Sequence, residues 1–341
     1  MRVLVTGHHG YIGSVLTPLL KEAGHDVVGL DTDFFASCLL GSEVDEVPSV
    51  EVDIRDVTPA HCEGFDAVLH LAALSNDPLG NLSPQITYDI NQHASVRLAA
   101  AAKAAGVRRF LFSSSCSLYG AGGDAPVTED AGFYPVTPYG ESKVLAEQEI
   151  SKLADADFVP TYLRNATAYG VSPRLRGDIV VNNLVAHAVT TGKVLLQSDG
   201  TPWRPLVHCE DIARAFVALL EADEDLIRDR AYNVGLTSEN YRIREVAELV
   251  GAAVEGSVVS FAEGASSDKR DYRVDCERIK NEIPGFQPRW TVPTGIAQLV
   301  AAYREHGLTA EEFAGVKYQR IARIRELLDS GLLGPDLRPA S

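Results

Sequence analysis

The 341-residue chain is short of positive charge. Its 31 lysines and arginines stand against 47 aspartates and glutamates, a formal net charge of −16. A field of that sign repels a phosphate backbone, so no nucleic-acid partner is expected, although a few local arginines can still grip an anionic small molecule. Long apolar runs are also lacking. No stretch reaches the roughly 18 uncharged residues of a membrane span, and the alanine-rich run at 98–107 is broken by Lys103. The five cysteines are odd in number and without paired spacing, which argues against a disulfide framework and for a reducing compartment. Zinc spacing is missing as well: His8-His9 and His208-Cys209 are adjacent pairs, unsuited to two ligands of one metal. The opening MRVLVTG reads straight into a strand, with no leader signature. The expectation is a cytoplasmic protein with no metal and no membrane partner.

What is present is a strand–helix alternation. Short apolar runs at 2–6, 26–31, 67–71, 109–114 and 158–163 are separated by helical patterns at 12–23, 88–105 and 138–154. Such alternation predicts an α/β fold with a parallel sheet covered on both faces, whose ligand lies at the carboxyl ends of the strands. After residue 172 glycines and prolines loosen the pattern. We expect 1–172 to be a dinucleotide domain to which segments near 206–235 return, and 173–341 to be mainly a substrate lobe. The stretch 311–333 reads as one amphipathic helix packed on the body.

The segment Gly7-His8-His9-Gly10-Tyr11-Ile12-Gly13 follows the first strand and opens a helix. Gly7 permits the tight turn, Gly10 lets backbone approach a pyrophosphate, and Gly13 lets helix and strand pack closely, so that free N–H groups face a phosphate. Asp31 ends the second strand 18 residues after Gly13, where a carboxylate takes ribose hydroxyls. No Arg or Lys lies at 32–35, which favours NAD over NADP. Asp53-Ile54 either faces the adenine or sits in a solvated loop.

Tyr139-Gly140-Glu141-Ser142-Lys143 opens a helix after Pro135 and Pro138. Residues four apart share a helical face, and a cation beside a phenol favours the phenolate, which makes Tyr139 a candidate general base for an alcohol that gives up hydride.

These motifs, together with HLAA (70–73), SSSCSLYG (113–120), LRNATAYG (163–170), RPLVHCED (204–211) and YNVG (232–235), make the chain resemble the extended short-chain dehydrogenase/reductase superfamily, in its NAD-dependent sugar epimerase/dehydratase branch. The resemblance covers about residues 1–300. It implies a Rossmann-type doubly wound sheet with a smaller mixed α/β C-terminal lobe, a bound NAD, a nucleotide-diphosphate sugar as substrate, and a homodimer paired through two helices of each subunit. It implies Ser115, Tyr139 and Lys143 as catalytic. Tyr11, Ile12, Leu71, Ala72, Ala73, Asn91 and Ser113 would line the cofactor. Arg204 would bind the substrate pyrophosphate beside Ser117, Asn165 and Thr167, with Arg270 or Arg273 replacing a second family arginine.

One departure bears on the reaction. The family's dehydratases carry Asp-Glu directly after the catalytic hydroxyl residue, and its decarboxylases usually carry Glu at the second position; here Cys116-Ser117 stands there. Neither a thiol nor a serine replaces that acid and base. The expected reaction is therefore epimerisation, at C4, with a keto-sugar reductase or an atypical decarboxylase or dehydratase as runner-up. A non-catalytic dinucleotide sensor is the remote alternative, disfavoured by the retained Tyr139/Lys143 pair. Cys116 itself is read as a packing residue.

Overall fold

The computed structural model describes residues 1–41, 44–75, 83–120, 125–266 and 270–340. Its strands in chain order are β1 (Arg2–Thr6), β2 (Asp26–Asp31), β3 (Ser49–Glu51), β4 (Ala67–His70), β5 (Arg109–Ser115), β6 (Val159–Asn165), β7 (Thr167–Tyr169), β8 (Lys193–Ser198), β9 (Trp203–His208), β10 (Arg230–Val234), β11 (Asn240–Arg242) and β12 (Val258–Ser266). The longer helices, with one short one from the tail, are α1 (Gly13–Glu22), α2 (Ser95–Ala104), α3 (Pro138–Ser151), α4 (Val180–Thr191), α5 (Cys209–Glu221), α6 (Ile243–Ala253), α7 (Val292–Glu305), α8 (Ala310–Ala314) and α9 (Arg320–Asp329).

Seven strands form one parallel sheet in the order β10-β6-β5-β4-β1-β2-β3. Successive residues of β1 serve opposite faces. Val3 and Val5 meet Leu16 and Leu20 of α1 and Phe216 of α5, whereas Leu4 packs with Leu98 of α2 and Ile150 of α3. The chain leaves β1 toward β2 on one side, while β4 lies on the other. That reversal opens a crevice beyond the carboxyl ends of β1 and β4, the usual ligand position in such sheets. A smaller mixed lobe faces it, with β11-β9-β7 and the parallel pair β12-β8 backed by α4, α6 and α7.

Two readings of the sequence need correction. The stretch 311–333 is not one helix. It breaks into α8 and α9 around an extended Gly315, because Phe313 and Tyr318, both buried in the second-lobe core, are five residues apart and cannot share a helical face. The Tyr318 carbonyl instead accepts from Gly177 N–H at 2.8 Å. Ile324, Leu327, Leu333 and Leu337 beyond it pack on a core of the large sheet, so the tail bridges both parts of the fold. The second is smaller: 88–105 is helical as expected, but its first turns, Asp89–Ala94, are π-helical rather than α-helical.

Candidate functional site

Between the large sheet and the second lobe lies a cavity of about 900 Å³, at the upper end for small-molecule sites. Its floor is the glycine turn. Gly7 has φ +75°, and a Cβ there would stand 2.6 Å from Ala72 N; a Cβ on Gly13 would stand 2.3 Å from Gly7 O. Backbone therefore passes backbone at distances only glycine permits. Gly10, Tyr11 and Ile12 line the cavity between them. Tyr11 is tied down from the far side: its Oη donates to Gly170 O at 2.6 Å, and Ser172 Oγ donates to Tyr11 O at 2.7 Å.

Asp31 is held at the rim by backbone donors, with His9 N–H 3.0 Å from Oδ2 and Thr32 N–H 2.8 Å from Oδ1. Asp53 and Ile54 line the same end. The Asp53 carboxylate, however, is already engaged by the Arg55 guanidinium at 2.6 Å, so what this pair turns to a ligand is its backbone and the Ile54 side chain. Leu71, Ala72 and Ala73 form the opposite wall. Asn91 does not line the cavity. It is fully buried in the π-turn, and its side chain accepts from Leu74 N–H at 2.8 Å and donates to Leu74 O at 3.0 Å. It positions the 71–75 turn instead of touching what lies in it. Below that turn His70 bridges Thr6 and Ser95 at 2.6 and 2.8 Å, and burial, then the nearby Lys143 charge, lowers its pKa to about 3. It is a neutral structural link.

At the centre of the cavity α3 brings Tyr139 and Lys143 together. Thr137 caps the helix by accepting from Gly140 N–H at 3.2 Å, and Pro138 occupies its first turn, where its missing N–H costs nothing. Lys143 Nζ donates to Ser113 O at 2.7 Å and lies 6.0 Å from the Tyr139 ring centre. Burial drives its pKa down to about 7, against a smaller opposing pull from Glu147. Beside the pair, Ser115 Oγ accepts from Ser117 N–H at 3.1 Å and stands 2.6 Å from Ser117 Oγ. Both hydroxyls line the cavity.

Cys116 turns the other way. It is fully buried and its Sγ donates to Arg164 O at 3.1 Å; burial pushes the thiol pKa far up. It packs over a buried network in which Arg164 pairs with Glu147 at 2.7 Å. The carboxylates lining the cavity among the described residues are Asp31, Asp53 and Asp178. The first is held by backbone N–H groups, the second is paired with Arg55 at 2.6 Å, and the third with Arg176 at 2.9 Å.

Toward the second lobe the wall carries Asn165, Thr167, Arg204 and Arg270. Asn165 donates to Ser113 Oγ at 3.1 Å. Arg204 is buried, donates to Trp203 O at 2.7 Å and to the Arg270 carbonyl, and lies 5.9 Å from the Tyr272 ring. Arg273 instead stacks on Trp203 at 5.0 Å. Of the two arginines left open by the sequence, Arg270 is the one lining the cavity.

Sequence reasoning missed one cluster. Arg176 and Arg320 line the cavity, with Arg174 beside them; Arg320 donates to Arg174 O at 3.0 Å and stacks 4.1 Å from the centre of the Phe35 ring. No local feature of the sequence marks these arginines; their burial in so acidic a chain shows only in the fold. No group of three potential metal ligands occurs among the described residues, nor any helix long and apolar enough to cross a membrane.

Residues 3–235 match the model of the NAD dependent epimerase/dehydratase family. Over 313 residues the chain is 31% identical to UDP-glucose 4-epimerase of Mycolicibacterium smegmatis, covering 89% of this chain and 99% of that one. The solved structure of MoeE5 in complex with UDP-glucuronic acid and NAD superposes with a TM-score of 0.77 at 26% identity, covering 89% of this chain and 99% of that one. DesIV, a dTDP-glucose 4,6-dehydratase from Streptomyces venezuelae solved with NAD bound, shares the fold with a TM-score of 0.78 at 23% identity, covering 92% of this chain and all of that one.

Proposed function

Because the chain belongs to the NAD-dependent epimerase/dehydratase family, we propose that it inverts the C4 carbinol of a nucleotide-diphosphate sugar through a transient 4-keto sugar. What carries the reading is the Tyr139–Lys143–Ser115 group lining the cavity, with Cys116-Ser117 following Ser115 where an acid and a base would stand. Elimination of water or loss of CO₂ needs an acid and a base at the sugar ring. Epimerisation needs one group that takes a hydroxyl proton and gives it back.

The residues fit a dinucleotide: the glycine turn is a cradle that any Cβ would fill, and Asp31 is fixed where ribose hydroxyls arrive. The bound NAD would supply what side chains lack, an acceptor and donor of hydride at the sugar carbon. Tyr139 Oη takes the C4 hydroxyl proton during oxidation and returns it after the ring has turned. Lys143 spends one N–H on Ser113 O, which leaves two for ribose hydroxyls, and its charge beside the ring favours the phenolate. The paired hydroxyls of Ser115 and Ser117 hydrogen-bond the sugar oxygen and hold it against Tyr139. Arg204 and Arg270 take the substrate diphosphate, with Asn165 and Thr167 alongside.

We further infer that the enzyme works as a homodimer in the cytoplasm, in keeping with the family and with five buried, unpaired cysteines. The test is incubation with UDP-, GDP-, CDP- and dTDP-sugars without added reductant, followed by NMR with evolved CO₂ monitored. The expected product is an epimer of one sugar. Product that forms only in proportion to supplied NADH or NADPH, or with release of CO₂ or water, overturns the reading.

A further inference from the structure

The cavity has a second cationic wall, far from Arg204 in sequence and built by two segments. Arg174 and Arg176 follow β7, and Arg320 opens α9 in the tail. All three are buried, at 3%, 7% and 3% exposure. Asp178 neutralises Arg176. The other two find mainly carbonyls: Arg174 donates to Phe35 O at 2.7 Å and to the Ala36 carbonyl, and Arg320 to Arg174 O. Arg174 Nε and Arg320 Nη1 are buried without any partner. Burial, and then the Arg176 charge, lowers the Arg320 pKa to about 10. Among the described residues three guanidinium groups stand against one carboxylate, a surplus of about two positive charges in a nearly dry place, which is costly until an anion arrives.

The position says which anion. Arg176 reaches Ser75 Oγ at 3.2 Å on the 71–75 turn and feels both Tyr11 and Tyr139. Arg320 lies on Phe35, four residues past Asp31. The wall therefore lines the same cavity as the glycine turn, with Arg320 near the Asp31 end and Arg176 toward the Tyr139 centre. The tail carrying Arg320 is clamped around the same end. Arg55 donates to Asp336 O at 2.7 Å, Arg323 to Phe34 O at 3.1 Å, and Tyr318 to Leu39 O at 3.4 Å. The chain is also longer than the relative it covers almost completely, with about a tenth of its residues outside the match.

We propose that Arg320, carried in by the C-terminal strap, joins Arg176 in binding the diphosphate of the dinucleotide from the side opposite the glycine turn, so that the strap retains NAD as a non-exchanging group. The proposal rests on the NAD-dependent reading above and deepens it. A redox-neutral epimerase gains from holding its cofactor through every cycle, whereas a reductase must exchange it.

The test uses the full-length protein, stripped of nucleotide, and Arg320→Gln, with Arg325→Gln on the exposed face of the same helix as control. Binding of NAD, ADP and adenosine is measured by calorimetry, and NAD retained through gel filtration by absorbance. Loss of a buried charge-assisted contact should weaken NAD and ADP by roughly 10- to 100-fold, leave adenosine unchanged, and release NAD during gel filtration. Arg320→Lys, which keeps the charge, should recover part of the affinity, and this arm covers the case in which Arg320→Gln unfolds. Equal weakening of adenosine and ADP, or unchanged NAD affinity, overturns the diphosphate contact. Absence of NAD binding by the unaltered protein would instead sink the NAD-dependent reading itself.

Discussion

Lys143 offers a prediction that needs no substrate. It is 3% exposed, and burial lowers its pKa from 10.5 to about 7. Between those values the unfolded chain holds a proton that the folded chain releases, so stability rises with pH through the window. At pH 7 the folded lysine is half charged and at pH 8.5 almost neutral. Integrating the difference at about 1.4 kcal/mol per unit gives roughly 1.5 kcal/mol of added stability from pH 7 to 8.5. Other groups push the opposite way near the top of that range. Buried thiols such as Cys62 have raised pKa values, so the unfolded state sheds their protons first. The comparison is therefore made against Lys143→Met, in which those contributions cancel. Urea unfolding of both nucleotide-free proteins at pH 7.0, 7.5, 8.0 and 8.5 should show the original protein gaining roughly 1.5 kcal/mol relative to the variant. A gap independent of pH would mean that Lys143 keeps its charge in the fold, and the desolvation argument would fail.

Tyr139→Phe should lower turnover by roughly 10²- to 10⁴-fold, the usual contribution of a positioned general base, while NAD measured by absorbance stays bound. Gly13→Ala should abolish NAD binding in calorimetry, because its Cβ would stand 2.3 Å from Gly7 O and 2.6 Å from the His8 backbone and force the turn open. Glu147→Gln should cost about 3–5 kcal/mol in urea unfolding, because it strands Arg164, whose pair is buried on both sides; a loss below about 1 kcal/mol would place the pair among ordinary surface bridges.

How far the fold was legible depended on burial. β1, β4 and β5 are covered on both faces, so they appear as near-continuous apolar runs that no other element of that length produces. β3 went unread because Ser49, Val50 and Glu51 are all exposed on the sheet edge, where neither face imposes a pattern. The short strands of the second lobe were equally silent: β11 is only half-buried, and β8 and β12 pair with each other far from the main sheet. The tail misled for the opposite reason. Phe313, Ile324 and Leu327 are spaced nearly as a helical stripe, but the first belongs to one core and the last two to another.

The site divides along a similar line. Gly7, Asp31, Tyr139 and Lys143, expected from a local turn, a strand end and a helical face, and Ser115, expected from the family resemblance, all line one cavity. Asn91 was placed in the right neighbourhood with the wrong task, since only the fold shows its amide committed to both polar groups of Leu74. Arg320 was invisible for a stronger reason: it meets Arg174 across 146 residues of chain, and a tail arginine has no local feature to separate it from solvated ones. Only the fold reveals the cost: a chain with sixteen surplus negative charges buries three arginines around one carboxylate among the described residues. The two ends of the cavity then differ in kind. Arg204 and Arg270 line the end proposed above for a substrate that must leave after each turnover, whereas Arg176 and Arg320 sit where the tail is clamped down, which suits a group that stays.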